Sequence, residues 1–252
     1  QAWPEIDYTK SFETVIAWKQ SPGELARIRG LRCVASLGAG VEHILFDPTL
    51  PPDVLVTRIV DQGLAREMTE YICMMTLIQK RHFLKQQQYQ REKRWVKDVD
   101  EKKDFEARVG ILGLGELGRD AARALVALGI PVSGWSQTRK DLPGVKSFAG
   151  EKEFESFLKD CTILVCLLPL TPNTENILCR RTFEFLPEGA FVINVGRGNH
   201  LVDADLIEAL ESGHLSGACL DVFREEPLPS EHPFWSHPKI TVTCHVSSIT
   251  NP

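Results

Sequence analysis

Apolar residues in this chain fall into short runs separated by stretches of helical period, an alternation that predicts a parallel α/β fold. Strands are predicted at Val132 to Trp135, Thr162 to Leu168, Ala190 to Val195, Gly217 to Val222 and Ile240 to Cys244. Helical patterns lie among them at Lys152 to Leu158, Arg180 to Leu186 and Ala204 to Ser212. Strands alternating with helices imply right-handed crossovers and a doubly wound sheet, with ligand bound at the carboxyl ends of the strands. A smaller alternation comes first: strands at Thr14 to Trp18, Leu31 to Ser36 and Val54 to Ile59, with a helix at Gly23 to Ile28. It reads as half of a second α/β unit. Between the two, Gln62 to Arg94 carries one long helical pattern with Met68, Ile72, Met75 and Leu84 among its apolar positions. Periodicity leaves open whether that helix is a linker, a packing face or a dimer contact. The charged stretch Lys97 to Arg108 suits an exposed boundary.

One strand leads straight into a glycine-spaced turn. Val109-Gly110-Ile111-Leu112-Gly113-Leu114-Gly115-Glu116-Leu117-Gly118 is followed by an alanine-rich helix, Arg119 to Leu128. In that setting Gly113 allows a tight turn, Gly115 lets the backbone approach a pyrophosphate, and Gly118 lets the helix pack on the strand. Glu116 and Leu117 then open the helix, whose positive dipole end faces the phosphates. The segment predicts a Rossmann-type dinucleotide site. Downstream the chain reads Gly134-Trp135-Ser136-Gln137-Thr138-Arg139-Lys140, with no acid before Asp141. A carboxylate about twenty residues after the turn serves a free ribose 2′-OH, whereas hydroxyls and cations suit a 2′-phosphate. Trp135, Ser136, Thr138, Arg139 and Lys140 therefore favour NADP(H), with NAD(H) still admissible. The plainer reading of Arg139 and Lys140 is a solvated loop.

Composition sets outer limits. A chain of 252 residues with 43% hydrophobic content can bury a sizeable core. A formal net charge of -5 argues against a nucleic-acid surface. Apolar runs such as Ile163 to Leu170 fall short of the roughly twenty residues that cross a bilayer, and no signal peptide pattern is visible. Seven cysteines without a CxxC pair fit free thiols in a reducing cytoplasm, and seven histidines without HExxH spacing suggest no metal.

Three ionisable residues follow predicted strand ends. Arg197 sits in Asn194-Val195-Gly196-Arg197-Gly198, Glu226 in the acidic stretch after Asp221, and His245 in Thr243-Cys244-His245-Val246. Singly, each has an ordinary explanation: a surface ion pair, a turn acid before proline, a satisfied core histidine. Together they supply the parts for carbonyl reduction, in which a cation grips an acidic substrate and a histidine delivers a proton. An adjacent Glu226 favours the charged form of His245.

These motifs, in this order, resemble the D-isomer-specific 2-hydroxyacid dehydrogenases, and within them the bacterial glyoxylate/hydroxypyruvate reductase branch. The likeness runs through Ser36-Leu37-Gly38-Ala39-Gly40-Val41, Gly113 to Gly118, Trp135-Ser136, Leu168-Pro169-Leu170-Thr171-Pro172, Asn194 to Gly198, Asp221 to Pro229, and His245. It implies that Arg197, Glu226 and His245 are the catalytic residues. By the same likeness Asp221 holds the nicotinamide carboxamide, and Leu168, Pro169, Thr174 and Val195 join the cofactor site. The resemblance also implies that Gly38, Ala39, Gly40 and Val41 bind the substrate carboxylate with Arg197 and His245. Without it, that loop reads as an ordinary strand-to-helix turn.

The implied organisation is an incomplete flavodoxin-like substrate domain over 1–70 and a linking and dimerisation region over 71–105. A nucleotide-binding domain follows over 106–245, then the start of a return to the substrate domain over 246–252. Gln137 departs from the Arg frequent in this branch, which leaves the phosphate grip to Ser136, Thr138, Arg139 and Lys140 and implies a weaker NADP preference. The absence of an initial Met and the end of the chain soon after His245 suggest a sequence incomplete at both ends. The resemblance implies a cytoplasmic homodimer that reduces a small 2-oxoacid. Reduction of a larger one such as phenylpyruvate, or a non-catalytic dinucleotide-sensing protein, are the alternatives.

Overall fold

A computed structural model describes residues 7–18, 20–97 and 106–248 of the chain. Most of the charged boundary, 98–105, and the end of the return segment, 249–252, lie outside the described residues. The chain divides into two compact units, Gln1–Asp61 and Gln62–Pro252. The division falls before the long helix, nine residues earlier than the expected end of the substrate domain at 70, because that helix is built into the larger unit.

In the smaller unit, β1 (Thr14–Ala17), β2 (Cys33–Ser36) and β3 (Leu55–Thr57) form a parallel sheet in the order β1-β2-β3. A short helix, α1 (Glu42–Leu45), follows the Gly38 loop. Ala17, Leu25, Ile28, Val34 and Ile44 make its core. The stretch expected as a helix at Gly23 to Ile28 shrinks to one 3-10 turn, Leu25–Arg27.

The larger unit begins with α2 (Gln62–Lys80) and α3 (Phe83–Arg91). Its sheet contains β4 (Val109–Leu112), β5 (Val132–Ser136), β6 (Val145–Ala149), β7 (Ile163–Cys166), β8 (Ala190–Asn194), β9 (Leu215–Leu220) and β10 (Ile240–Val242). These pair in the order β10-β9-β8-β7-β4-β5-β6, and every pairing is parallel. Helices α4 (Glu116–Ala127), α5 (Phe154–Leu158), α6 (Arg180–Phe185) and α7 (Asp203–Glu211) lie between strands in the chain. All residues of β4, β7 and β8 are buried, which accounts for their unbroken apolar runs: helices cover both faces of such a sheet. The edge strand β6 escapes pattern reading because Lys146 and Ser147 interrupt its apolar character.

The long helical pattern is two helices. His82 adopts left-handed backbone, with φ of 49°, and ends the continuous run expected over Gln62 to Arg94. Met68, Ile72 and Met75, offered as dimer contacts, are instead buried in the core that holds Ala121, Ala122 and Leu125 of α4. Their periodicity served packing within the chain; of the residues named, only Leu84 is exposed. No helix among the described residues is long and apolar enough to cross a membrane.

Ile72 has no exposed surface, so truncation leaves a cavity between α2 and the sheet. Ile72→Ala is expected to destabilise the protein by about 2 to 5 kcal/mol. Urea unfolding measures it, and an unchanged midpoint would remove α2 from the core.

Candidate active site at the carboxyl edge of the larger sheet

Parallel pairing sends the loop after every strand to one edge of the sheet. Along that edge the order is His245 beyond β10, Asp221 and Glu226 after β9, Arg197 after β8, Leu168 to Thr174 after β7, the glycine turn after β4, and Ser136 at the end of β5 with Gln137 to Lys140 following it. The order of strands reverses between β7 and β4, where open sheets of this kind leave a crevice.

A cleft of about 370 Å³ opens there, lined by Gly113, Leu114, Gly115, Trp135 to Thr138, Lys140, Leu168, Pro169, Thr171, Asn173 and Thr174. The three glycines of the turn do different things. Gly113 has φ of 102°, a region closed to most side chains. A Cβ on Gly118 would lie 1.9 Å from the Gly113 carbonyl oxygen, so the helix meets the strand too closely for any side chain. At Gly115 a Cβ would meet nothing within 4 Å. No protein atom requires glycine there, and the space lies over the first turn of α4, where backbone N–H groups and the helix dipole favour an anion. The cradle fits a pyrophosphate.

The residues expected around the second strand separate into two groups. Ser136 is buried and its hydroxyl accepts the Leu114 N–H at 3.1 Å, tying the turn to β5. Trp135 donates its indole N–H to the Gly150 carbonyl at 2.8 Å and packs edge-on against Phe154. Thr138 and Lys140 line the cleft and touch each other at 3.1 Å. Arg139 turns away: it donates to both carboxylate oxygens of Glu153, at 2.5 and 2.8 Å, and to the Ser147 carbonyl. After β7, Thr174 is the knot of its loop, donating to the Pro169 carbonyl at 2.7 Å and accepting the Thr171 N–H at 2.9 Å. Glu116 and Gly115 are exposed and Leu117 is half-buried at the helix start, whereas Val195 is buried.

On the other half of the edge, Arg197 is half-buried, with Nη1 donating to the Gly196 carbonyl at 2.7 Å. Two residues that carried no assigned role hold its loop. Asn194 donates to the Arg197 carbonyl at 3.0 Å and accepts the Gly196 N–H at 3.2 Å. Buried His200 accepts the Arg197 N–H on Nδ1 at 3.0 Å, and its Nε2 lies 3.4 Å from the Pro169 carbonyl, linking this loop to the one after β7. A polar residue closing the otherwise apolar run Ala190 to Ile193 was the visible signal for Asn194.

Glu226 Oε2 lies 2.8 Å from His245 Nδ1, while Oε1 accepts the Phe223 N–H at 3.0 Å. The expected pairing of an acid and a histidine from two different strand ends is therefore present. Asp221, expected to face a carboxamide, has other partners. It is fully buried, its Oδ1 accepts the Thr243 hydroxyl at 2.6 Å and the Val246 N–H at 2.9 Å, and its Oδ2 accepts the Ser247 N–H at 2.9 Å. Its carbonyl takes the His245 N–H at 2.8 Å. Physically it anchors the segment that carries the histidine.

In the smaller unit, the Gly38 N–H donates to the buried Ser36 hydroxyl at 3.1 Å, and that hydroxyl donates to the Gly40 carbonyl at 2.9 Å. A Cβ on Gly38 would lie 2.3 Å from the Trp18 ring, so close ring packing demands glycine there. One of the loop's N–H groups, that of Gly38, is thus already engaged within the loop. All seven cysteines are free; burial pushes the thiols of Cys161, Cys166 and Cys219 up to about 12.

Comparison with known proteins accords with this geometry. Residues 73–247 match the family described as D-isomer specific 2-hydroxyacid dehydrogenase, NAD binding domain. A D-isomer specific 2-hydroxyacid dehydrogenase from Xanthobacter autotrophicus, solved with NADPH and MES, is 40% identical with a TM-score of 0.90, over 98% of this chain and 77% of that one. An NADPH-dependent glyoxylate/hydroxypyruvate reductase from Sinorhizobium meliloti, solved with NADP and sulfate, is 38% identical with a TM-score of 0.87, over 94% and 76%. A probable 2-hydroxyacid dehydrogenase from Rhizobium etli, solved with NADP, HEPES and L(+)-tartaric acid, is 36% identical with a TM-score of 0.89, over 95% and 76%. The chain belongs to the D-isomer-specific 2-hydroxyacid dehydrogenases, and its larger unit carries their Rossmann-type NAD-binding domain.

Proposed function

We propose that the protein is an NADPH-preferring reductase of small 2-oxoacids, converting glyoxylate to glycolate and hydroxypyruvate to D-glycerate. The observation that carries the chemistry is the 2.8 Å contact between His245 Nδ1 and Glu226 Oε2, beside Arg197 in the order of the sheet edge. Support for the substrate comes from the reductase of Sinorhizobium meliloti, and for the cofactor from relatives solved with NADPH or NADP.

In this reading the glycine turn, Thr138, Lys140 and the loop after β7 hold the dinucleotide, whose chemistry when bound is hydride donation to the carbonyl carbon. Arg197 supplies a guanidinium for the substrate carboxylate, with a planar fork that matches it. Glu226 accepts the Nδ1 proton of His245, which fixes the ring and leaves Nε2 to deliver a proton to the carbonyl oxygen as it gains charge. Placing donor and cation before reaction removes the entropy of assembling them.

His245→Ala in the full-length protein is expected to lower glyoxylate turnover by at least roughly a hundredfold while NADPH binding, followed by fluorescence, persists. Turnover near the parent value would sink the proton-donor role. A panel of glyoxylate, hydroxypyruvate, pyruvate and phenylpyruvate places the substrate; preference for phenylpyruvate selects the larger-substrate alternative, and no reduction of any selects a dinucleotide-sensing protein.

Lys140, Thr138 and the hydroxyl of Ser136 form the proposed 2′-phosphate contact, since Glu153 already occupies Arg139. Lys140→Ala is expected to weaken NADPH binding roughly tenfold or more, the loss of a charge-assisted hydrogen bond, and to leave NADH unaffected. Arg139→Ala should change the NADPH affinity far less. Equal losses for the two variants would return the role to both cations.

A homodimer is also proposed, through a face different from the buried one. Met74 and Leu77 on α2 and Phe83 and Leu84 on α3 are exposed apolar residues, a surface suited to a self-complementary contact. Light scattering at micromolar concentration is expected to return a dimer mass that Met74→Lys with Leu77→Lys halves; a parent monomer ends the proposal. Seven free thiols support a cytoplasmic location.

A further inference from the structure

His245 stands on strained backbone. Its φ of 53° places a non-glycine residue in the left-handed region, which persists only where surrounding contacts over-determine it. Those contacts converge on Asp221, which takes the N–H groups of His245, Val246 and Ser247 and the hydroxyl of Thr243. The network continues inward. Tyr71 Oη, on α2, lies 2.6 Å from Thr243 Oγ1 and 3.2 Å from Cys219 Sγ.

The hydrogen positions in this network follow from its chemistry. A hydroxyl has one proton to give, and that of Thr243 goes to Asp221. Tyr71 must therefore donate to Thr243, and the Cys219 thiol is left to donate to Tyr71. Burial raises the Tyr71 phenol well above its ordinary range, with Cys219 adding to the effect, so the donor keeps its proton. A single direction, Cys219 to Tyr71 to Thr243 to Asp221, satisfies every member. Tyr71 also sits between Met68, Ile72 and Met75, the residues that pack α2 into the core with the glycine-turn helix.

We infer that Tyr71 is a positioning residue for His245, its hydroxyl holding Thr243 and Asp221 in the arrangement that fixes the backbone beneath the imidazole. The inference rests on the proposed role of His245 as proton donor. It assigns function to a residue 172 positions away from Thr243 in the chain, on the helix that opens the larger unit.

The test uses Tyr71→Phe, Thr243→Val, Thr243→Ser and the double variant Tyr71→Phe with Thr243→Val in the full-length protein. Tyr71→Phe is expected to lower kcat for glyoxylate about tenfold, as loss of alignment does, with NADPH affinity within about twofold of the parent. Thr243→Val should match it, the double variant should be no worse than either, and Thr243→Ser should restore turnover, because the groups act as one chain. The titration of the His245 Cε1–H resonance should move in Tyr71→Phe and Thr243→Val and return in Thr243→Ser. If Tyr71→Phe does not fold, the two Thr243 variants decide, since they leave the ring in place. Unchanged kcat with an unchanged His245 titration overturns the inference, as does a Thr243→Ser that is no better than Thr243→Val. Failure of the underlying reading looks different: His245→Ala would keep its turnover whatever Tyr71→Phe does to the resonance.

Discussion

All strands of the larger sheet run the same way, which forces every loop that leaves a strand tip onto one edge. Residues distant in the chain, from Gly113 to Thr174, line one cleft there without any long-range signal between them. The strand order divides the edge. Strands β4, β5 and β6 grow outward from the switch point in one direction and carry the glycine turn and the Thr138–Lys140 segment, whereas β7 to β10 grow in the other and carry Arg197, Glu226 and His245. The cleft at the switch point takes its lining from both directions, because Leu168, Pro169, Thr171, Asn173 and Thr174 after β7 join the glycine turn, Thr138 and Lys140 in forming it. Close contact at Gly118 secures the division, because it fixes the first turn of α4 against the tip of β4.

How much of this was legible in the sequence depended on whether a residue's role was local. The glycine turn carries its meaning in adjacent residues, and the buried strands announce themselves as apolar runs, so both were readable. Pairing of Glu226 with His245 was readable as chemistry and as family likeness, but not as a distance. The long helix misled. Its apolar stripe states only that one face is buried, and the partner proved to be α4 of the same chain, while left-handed His82 broke the run where no glycine or proline marked it. Tyr71 and Thr243 gave no signal: a tyrosine on an amphipathic helix and a threonine after a strand are unremarkable until folding brings their hydroxyls to 2.6 Å.

Charge was the least transferable sequence signal. Arg139 and Lys140 are neighbours, yet Nη2 of Arg139 donates to both carboxylate oxygens of Glu153 and Nη1 to the Ser147 carbonyl, while Lys140 lines the cleft. An exposed ion pair of this kind contributes little to stability. Its consequence is directional: it withdraws a charge from the cleft, so the anion-binding power there is smaller than a count of basic residues suggests. Gln137, which lines the cleft and carries no charge, pushes the same way.

Exposure and rigidity belong to different residues at the end of the edge that carries His245. His245 and Glu226 are exposed, and exposure alone would leave both free to wander. The order comes from below. Asp221 is a carboxylate buried without any cationic partner among its hydrogen bonds, and such a group is costly unless donors fill its lone pairs. Three donors from residues 243–247 fill them, so the cost of burial is offset only when that segment adopts one conformation. Any rearrangement of the His245 backbone would strip a buried carboxylate of its partners, a larger loss than the strain of a left-handed residue. The desolvated acid therefore acts as a selector of backbone geometry, and the exposed imidazole inherits a fixed position from a charge that the substrate does not need to touch.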